Sequence, residues 1–320
     1  MRILITGVAG FVGRHLFNRL CQQYAYADIH GTSIEQSSRI SNERLTYHVV
    51  DLKDAQAIQA LIAEVQPDQI YHLAAQSSPR KSFQIPWETL ENNIKAQLNI
   101  ILACIALKLQ PRILIISSAE IYGPVQPEQL PINENAPLRP TNPYGVSKVA
   151  QDMLGLQYYL SHQLPILRVR PFNHFGPGQS EGFVATDFAV QVARIELGLQ
   201  NNVIEVGNLS AERDFTDVRD VVEAYIMIVE KGTPGEVYNV ASGKPYSIQY
   251  LLDTLLKNST VGIQVQVSQA RMLPVDVPIV RGDSTRLHQV CGWQPSIPFE
   301  TTLLDVLNDW RSRVRQSTQP

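Results

Sequence analysis

Arg2-Ile3-Leu4-Ile5-Thr6-Gly7-Val8-Ala9-Gly10-Phe11-Val12-Gly13 is the stretch on which the fold turns. Arg2 to Thr6 reads as a buried strand, and Phe11 to Gln22 as the helix that follows it. Gly7 permits a tight turn, Gly10 lets the backbone approach a pyrophosphate, and Gly13 lets the helix pack closely on the sheet. The helix N-terminus then offers free N–H groups and the positive end of its dipole to the anion, with Phe11 and Val12 sharing the contact. An ordinary strand-to-helix turn can carry the same glycines. Placement on the first strand of a βαβ series favours the dinucleotide reading.

That series continues outward. Ile29 to Ser33, Thr46 to Val50, Gln69 to Leu73, Arg112 to Ser117 and Pro165 to Arg170 read as further short strands. Amphipathic stretches lie between them: Ala55 to Glu64, Trp87 to Leu107 and Tyr144 to Ser161. Strands of about five residues alternating with helices predict an α/β fold, a doubly wound parallel sheet covered on both faces. After Pro171 the rhythm breaks. Asn173 to Ser180 reads as a Gly/Pro-rich loop, Phe188 to Leu197 as a helix, and Ile204 as the centre of a strand. Asp220 to Glu230 and Glu236 to Val240 read as a return to the first unit, and residues 243–285 as a second departure. The expected division is therefore 1–171 plus about 217–242 for the dinucleotide-binding unit. A smaller α/β substrate unit takes about 172–216 and 243–313, with fraying after Arg313.

Composition narrows the class. Lys plus Arg number 27 against 30 Asp plus Glu, a net charge of -3, so no basic field points to nucleic acid or an anionic membrane. No apolar run approaches the roughly 20 residues that span a bilayer. The early glycine loop leaves no room for a signal peptide. Cys21, Cys104 and Cys291 are few and widely spaced, as reduced thiols would be, and the scattered histidines form no metal motif. A soluble, cytoplasmic enzyme without a metal is expected.

Cofactor preference rests on the end of the second strand, where a carboxylate would bind a ribose and repel a 2′-phosphate. Thr32 and Ser33 stand there, with no acid before Glu35 and with Arg14 and Arg39 nearby. These residues favour NADP(H), with NAD the alternative, although both arginines read equally well as surface residues. Asp51-Leu52 is read either as a contact to the adenine edge or, for Asp51, as a helix N-cap.

The chemistry is expected at Asn142-Pro143-Tyr144-Gly145-Val146-Ser147-Lys148. Positions i and i+4 share a helix face, so Tyr144 and Lys148 stand side by side. A neighbouring ammonium is expected to lower the phenol's pKa into acid–base range. Ser118, at the carboxyl end of a parallel strand, would polarise a reacting oxygen.

The glycine loop, His72-Leu73-Ala74-Ala75, the set Ser118/Tyr144/Lys148, Arg213-Asp214-Phe215 and Gly292-Trp293-Gln294-Pro295 resemble an extended short-chain dehydrogenase/reductase over essentially the whole chain. The resemblance implies a Rossmann domain, a nucleotide-sugar substrate and a homodimer through the helices at 87–107 and 144–161. It places Leu73, Ala74, Ala75 and Pro171 at the cofactor, and Asn173, Val184 and Arg213 at the substrate. Gly207-Asn208-Leu209 through Arg213-Asp214, with Phe172 to Gln179, is similar to enzymes acting on GDP-mannose derivatives, notably GDP-4-keto-6-deoxy-D-mannose reductases. Arg271 to Pro278 is similar to their nucleotide-closing segment, which implicates Arg271 and Asp276. Leu273 stands there in place of the family's arginine, and Arg271 or Arg281 would have to substitute.

Ser118-Ala119-Glu120 divides the related activities. Glu120 keeps a sugar 4,6-dehydratase chemically possible, but Ala119 cannot protonate a leaving hydroxyl. The expectation is a C4-ketone reductase in which Glu120 binds a sugar hydroxyl. A dehydratase or a 4-epimerase using the same residues is the alternative, and a non-catalytic nucleotide-binding scaffold the remote one.

Overall fold

The computed structural model describes residues 1–35, 42–268 and 277–317. In chain order the larger unit begins with β1 (Arg2–Thr6), α1 (Phe11–Gln23), β2 (Asp28–Ser33), β3 (Leu45–Val49), α2 (Ala55–Val65), β4 (Gln69–His72), α3 (Pro79–Gln84), α4 (Pro86–Ala106), β5 (Arg112–Ile116), α5 (Pro143–His162) and β6 (Ile166–Pro171). Then come β7 (Asn173–Phe175), α6 (Val184–Glu196), β8 (Val203–Val206), β9 (Glu212–Asp217), α7 (Val218–Lys231) and β10 (Val237–Val240). The chain closes with β11 (Pro245–Ser247), α8 (Ile248–Lys257), β12 (Gln264–Val267), β13 (Ile279–Val280), α9 (Thr285–Cys291) and α10 (Phe299–Ser317).

Seven strands form one parallel sheet in the order β3-β2-β1-β4-β5-β6-β10. Successive side chains alternate between its faces. Ile3 and Ile5 enter a core with α1 and α7, while Leu4 faces the opposite core with α2, α4 and Ile113 and Ile115 of β5. The strand order reverses between β1 and β4, and such a reversal opens a crevice at the carboxyl ends of the strands.

A second core gathers Phe175, Phe188, Val192, Ile204, Phe215, Leu251, Leu255, Leu303 and Leu307 from α6, α8, α10 and the short strands around them. Here the structure departs from the sequence expectation. Asn173 to Phe175, read as loop, is a strand paired in parallel with Phe215 to Asp217 of β9. That pairing is formed by residues some forty positions downstream, which no local pattern reveals. Neither α8 nor α10 was anticipated, and α10 runs past Arg313 to Ser317 because Trp310 and Val314 are buried in the second core. One boundary also moves. Leu287, Cys291 and Trp293 join the core beside α7, and Trp293 donates from Nε1 to the carbonyl of Asp220 at 2.9 Å. Residues 285–293 thus pack with the larger unit rather than with the smaller one.

Candidate active site

Gly7 adopts φ +70°, and its N–H and that of Val8 donate to the Thr32 carbonyl at 2.9 and 3.1 Å, which hangs the loop on β2. A Cβ at Gly13 would stand 2.4 Å from the Gly7 carbonyl oxygen and 2.7 Å from that of Val8, and one at Gly7 would stand 3.0 Å from the backbone of Ala74. The cradle is therefore closed to side chains at both ends. Gly10 caps α1 without a side-chain hydrogen bond, so the first-turn N–H groups keep their anion-binding capacity. A dinucleotide pyrophosphate fits this donor set.

On the neighbouring strand, Thr32 is only 1% exposed, and its hydroxyl has no hydrogen-bond partner among the described residues. Thr32 was expected beside a 2′-phosphate, but its carbonyl supports the glycine loop and its side chain is buried. Ser33, half-buried at the strand end, is the accessible hydroxyl. Arg14 donates to the Gly178 carbonyl at 2.8 Å, so it faces the 173–180 segment, and Arg39 lies outside the described residues. Asp51 does not cap α2; Asp54 does, accepting from the N–H groups of Gln56 and Ala57. Asp51 accepts from Lys53 N–H, and the Leu52 carbonyl accepts from Asn99. Leu73, Ala74 and Ala75 follow β4 into the crevice, Ala74 N–H donating to Thr6 Oγ1 at 3.2 Å. Thr6 Oγ1 lies 2.9 Å from His72 Nδ1, and burial, reinforced by the charge of Lys148, pushes the His72 pKa down to about 3. His72 is a neutral part of the floor.

Tyr144 and Lys148 open α5, 8% and 4% exposed. Lys148 Nζ lies 5.8 Å from the centre of the Tyr144 ring and donates to the Ile116 carbonyl at 2.8 Å. Ser118 stands two residues past the end of β5, near enough to the Tyr144 hydroxyl to act on its pKa. Burial pushes the Tyr144 pKa up to about 12, opposed by the nearby Ser118 hydroxyl and reinforced by the Glu120 carboxylate. Burial also pushes Lys148 down to about 7. The expected lowering of the phenol pKa by its neighbour is thus overturned. Desolvation penalises the charged form of both groups, and the ammonium is directed at a carbonyl rather than at the phenol oxygen. In this state Tyr144 holds its proton across the neutral range.

Sequence reasoning missed what holds this pair. Asn142 caps α5 by accepting from Gly145 N–H at 2.7 Å, and its amide donates to Glu120 Oε2 at 2.9 Å. An asparagine immediately before Pro-Tyr at a helix start is the readable signal for that cap. Deeper on the same face, Asn93 donates to Ser147 Oγ at 2.9 Å, and Ser147 donates to the Tyr144 carbonyl at 2.7 Å. Asp152 is clamped between Arg168 (2.6 Å) and Arg170 (2.8 Å) from β6.

β6 ends at buried Pro171, and two residues later Asn173 starts β7, so the chain passes from the main sheet into the small four-stranded one. Asn173 pairs with Phe215, two residues from Arg213 on β9, which brings these two predicted substrate residues onto adjacent strands. Arg213 donates to the carbonyls of Glu212 (2.9 Å) and Val277 (2.6 Å). Val184 is the first residue of α6. Arg271 and Asp276 lie outside the described residues. Asp214, not singled out from sequence, accepts from the N–H groups of Ser242, Gly243 and Gly282 and ties the small sheet to the end of β10.

Comparison with known proteins adds the family. A model described as GDP-mannose 4,6 dehydratase matches residues 4–306. The chain belongs to that family. Its fold and motifs are those of an extended short-chain dehydrogenase/reductase. Within the family it is 38% identical to a GDP-6-deoxy-D-mannose reductase of Pseudomonas aeruginosa, over 98% of this chain and 99% of that one. It is 29% identical to GDP-mannose 4,6 dehydratase 2 of Caenorhabditis elegans, over 92% and 85% of the two chains. Among solved structures, RMD from P. aeruginosa complexed with NADPH superposes with a TM-score of 0.85 at 36% identity, over 98% and 99% of the two chains.

Proposed function

We propose that this protein is an NADPH-dependent reductase that converts the C4 ketone of GDP-4-dehydro-6-deoxy-D-mannose to GDP-D-rhamnose or its C4 epimer. The observation that carries the reading is the Ser118–Tyr144 hydroxyl pair beside buried Lys148, with apolar Ala119 next to Ser118. Two neighbouring hydroxyls can both reach one carbonyl oxygen. The bound cofactor supplies the hydride. Ser118 donates a hydrogen bond to O4, Tyr144 gives it a proton, and Lys148 stabilises the negative charge left behind. The glycine loop holds the pyrophosphate, and Ser33, with no acid before Glu35, leaves room for a 2′-phosphate. Similarity to a reductase and to an NADPH-bound structure supports both choices. Asn173, Val184 and Arg213, with Arg271 and Asp276, are assigned to the nucleotide sugar in a substrate unit built on the second core.

The same reading extends to assembly and location. Val146, Met153 and Leu160 are exposed at seven-residue spacing on α5, with Trp87 on α4 76% exposed. A heptad-spaced apolar stripe suits helix packing against a second copy, so the enzyme is a homodimer through α4 and α5. It works in the cytoplasm on a soluble substrate, without nucleic acid or membrane. Among the described residues no helix is long and apolar enough to cross a membrane.

The test is to incubate the protein with GDP-4-dehydro-6-deoxy-D-mannose and NADPH, follow NADPH oxidation, and identify the sugar by NMR. One NADPH consumed per sugar supports the reading. Turnover of GDP-mannose without net NADPH consumption would instead establish the dehydratase activity that Glu120 keeps chemically possible.

A further inference from the structure

We infer that Asn142 is a positioning residue that immobilises the Glu120 carboxylate and sets the Tyr144 hydroxyl against Ser118. Three hydrogen bonds link Ser118, Glu120 and Asn142 to the start of the helix that carries Tyr144. The Asn142 amide donates to Glu120 Oε2 at 2.9 Å, and Asn142 Oδ1 accepts from Gly145 N–H at 2.7 Å. The Glu120 N–H donates to Ser118 Oγ at 3.2 Å, and the Ser118 hydroxyl is near enough to Tyr144 to act on its pKa. Gly145 shows how tightly the two segments meet: a Cβ there would stand 3.1 Å from the Glu120 carbonyl oxygen and 2.9 Å from Pro140 Cβ. The turn at Ala119–Ile121 therefore rests directly on the first turn of α5, and one amide side chain joins them.

An asparagine can do this where the other capping residues cannot. Its oxygen caps the helix while its NH₂ remains free to donate to a carboxylate. Serine would cap but is too short to reach Glu120, and aspartate would cap but repel it. Glu120 is exposed, so without this contact its side chain would sample several rotamers. Its charge bears on Tyr144, so a wandering Glu120 also gives a phenol with an unsettled proton affinity. Asn142 thus acts through Glu120 and the helix start, without touching the reacting atoms.

The inference rests on the proposed ketone reduction for its kinetic readout, and a second readout is independent of it. Asn142→Ser and Asn142→Asp both keep a capping oxygen, so thermal stability stays near that of the wild type, whereas Asn142→Ala loses the cap as well. In the NADPH-dependent assay, kcat is expected to fall about 3- to 10-fold in Asn142→Ser and more in Asn142→Asp, with the KM for NADPH unchanged. Glu120→Ala removes the acceptor of the Asn142 amide, so combining it with Asn142→Ser should cost little beyond the larger single effect. The independent readout is the ¹³Cζ NMR signal of Tyr144, assigned by its absence in Tyr144→Phe. It should shift in Asn142→Ser and Asn142→Asp, while the signals of buried Tyr122 and Tyr225 stay in place. If the wild type reduces no GDP-linked ketone but this signal moves as described, the functional reading fails and the positioning role stands. An unmoved Tyr144 signal, or single-variant effects that simply multiply, overturns the inference.

Discussion

Lys148 Nζ donates to the Ile116 carbonyl at 2.8 Å, where β5 ends and the chain turns to Ser118. The contact anchors a cation that burial disfavours. With its pKa lowered to about 7 from an ordinary 10.5, Lys148 carries a proton in the unfolded chain that the native state releases between those values. Unfolded chains then bind more protons over that interval, so native stability rises as pH increases from about 7 to 10.5. Lys148→Met removes the penalty. Its melting temperature should exceed that of the wild type at pH 7 by a margin worth a few kcal/mol, at about 1.4 kcal/mol per pKa unit, and the advantage should vanish at alkaline pH. Calorimetry across that range reads it. A Met variant no more stable than wild type at pH 7 would contradict the burial argument.

The same titration shapes activity. Tyr144 stays protonated until about pH 12, so the alkaline fall in kcat/KM belongs to loss of the Lys148 charge near pH 7. Tyr144→Phe removes the proton donor and should lower kcat by roughly 10²- to 10⁴-fold while leaving NADPH affinity intact. Rate profiles and fluorescence titration check both, and an alkaline limb first appearing above pH 10 would reassign it to the phenol.

Gly13→Ala places a methyl group 2.4 Å from the Gly7 oxygen, against backbone that cannot yield without moving the loop. NADPH affinity should fall at least about 10-fold, equivalent to roughly 1.4 kcal/mol. Gly262→Ala is the control, because no atom stands within 4 Å of its Cβ, its φ is not in the left-handed region and it lies outside the cradle. Fluorescence titration of NADPH distinguishes them.

Asp152 is fully buried between two guanidiniums, and Arg170 also donates to Tyr122 Oη at 3.0 Å. Asp152→Ala leaves two buried cations facing each other. Breaking such a cluster from one side costs about 3–5 kcal/mol, so equilibrium urea unfolding should show a loss of that order or no folded protein. A loss below about 1 kcal/mol would mean that water reaches the cluster.

Leu160 is 64% exposed on the apolar stripe of α5, so Leu160→Glu costs a free protomer little in folding. Sedimentation velocity should show the wild type as a dimer and the variant shifted toward monomer. A monomeric wild type would remove the assembly proposal.

The alternation of β1 to β6 with α1 to α5 was legible because each element carries its own period, and α1 and α5 carry start signals in Gly10 and Asn142-Pro143. Tyr144 and Lys148 were legible because i, i+4 spacing on a helix fixes their side-by-side placement whatever surrounds them. The smaller unit was less so. β7, β9 and β13 are two to six residues long and pair across gaps of tens of residues, so their local patterns carry little. α10 is mostly polar outside its buried stripe, and its place depends on α6 and α8 being there to cover it.

By itself, then, the sequence determined the parallel-sheet scaffold, the glycine cradle and the side-by-side placement of Tyr144 and Lys148. Each of these follows from backbone sterics or helical periodicity, which act over a few residues. Only the tertiary structure decided the protonation of those groups, the burial of Thr32 and the hold of Asn142 on Glu120. Desolvation and hydrogen bonding depend on what distant segments bring alongside, and the ammonium expected to acidify Tyr144 is itself weakened by the burial that raises the phenol.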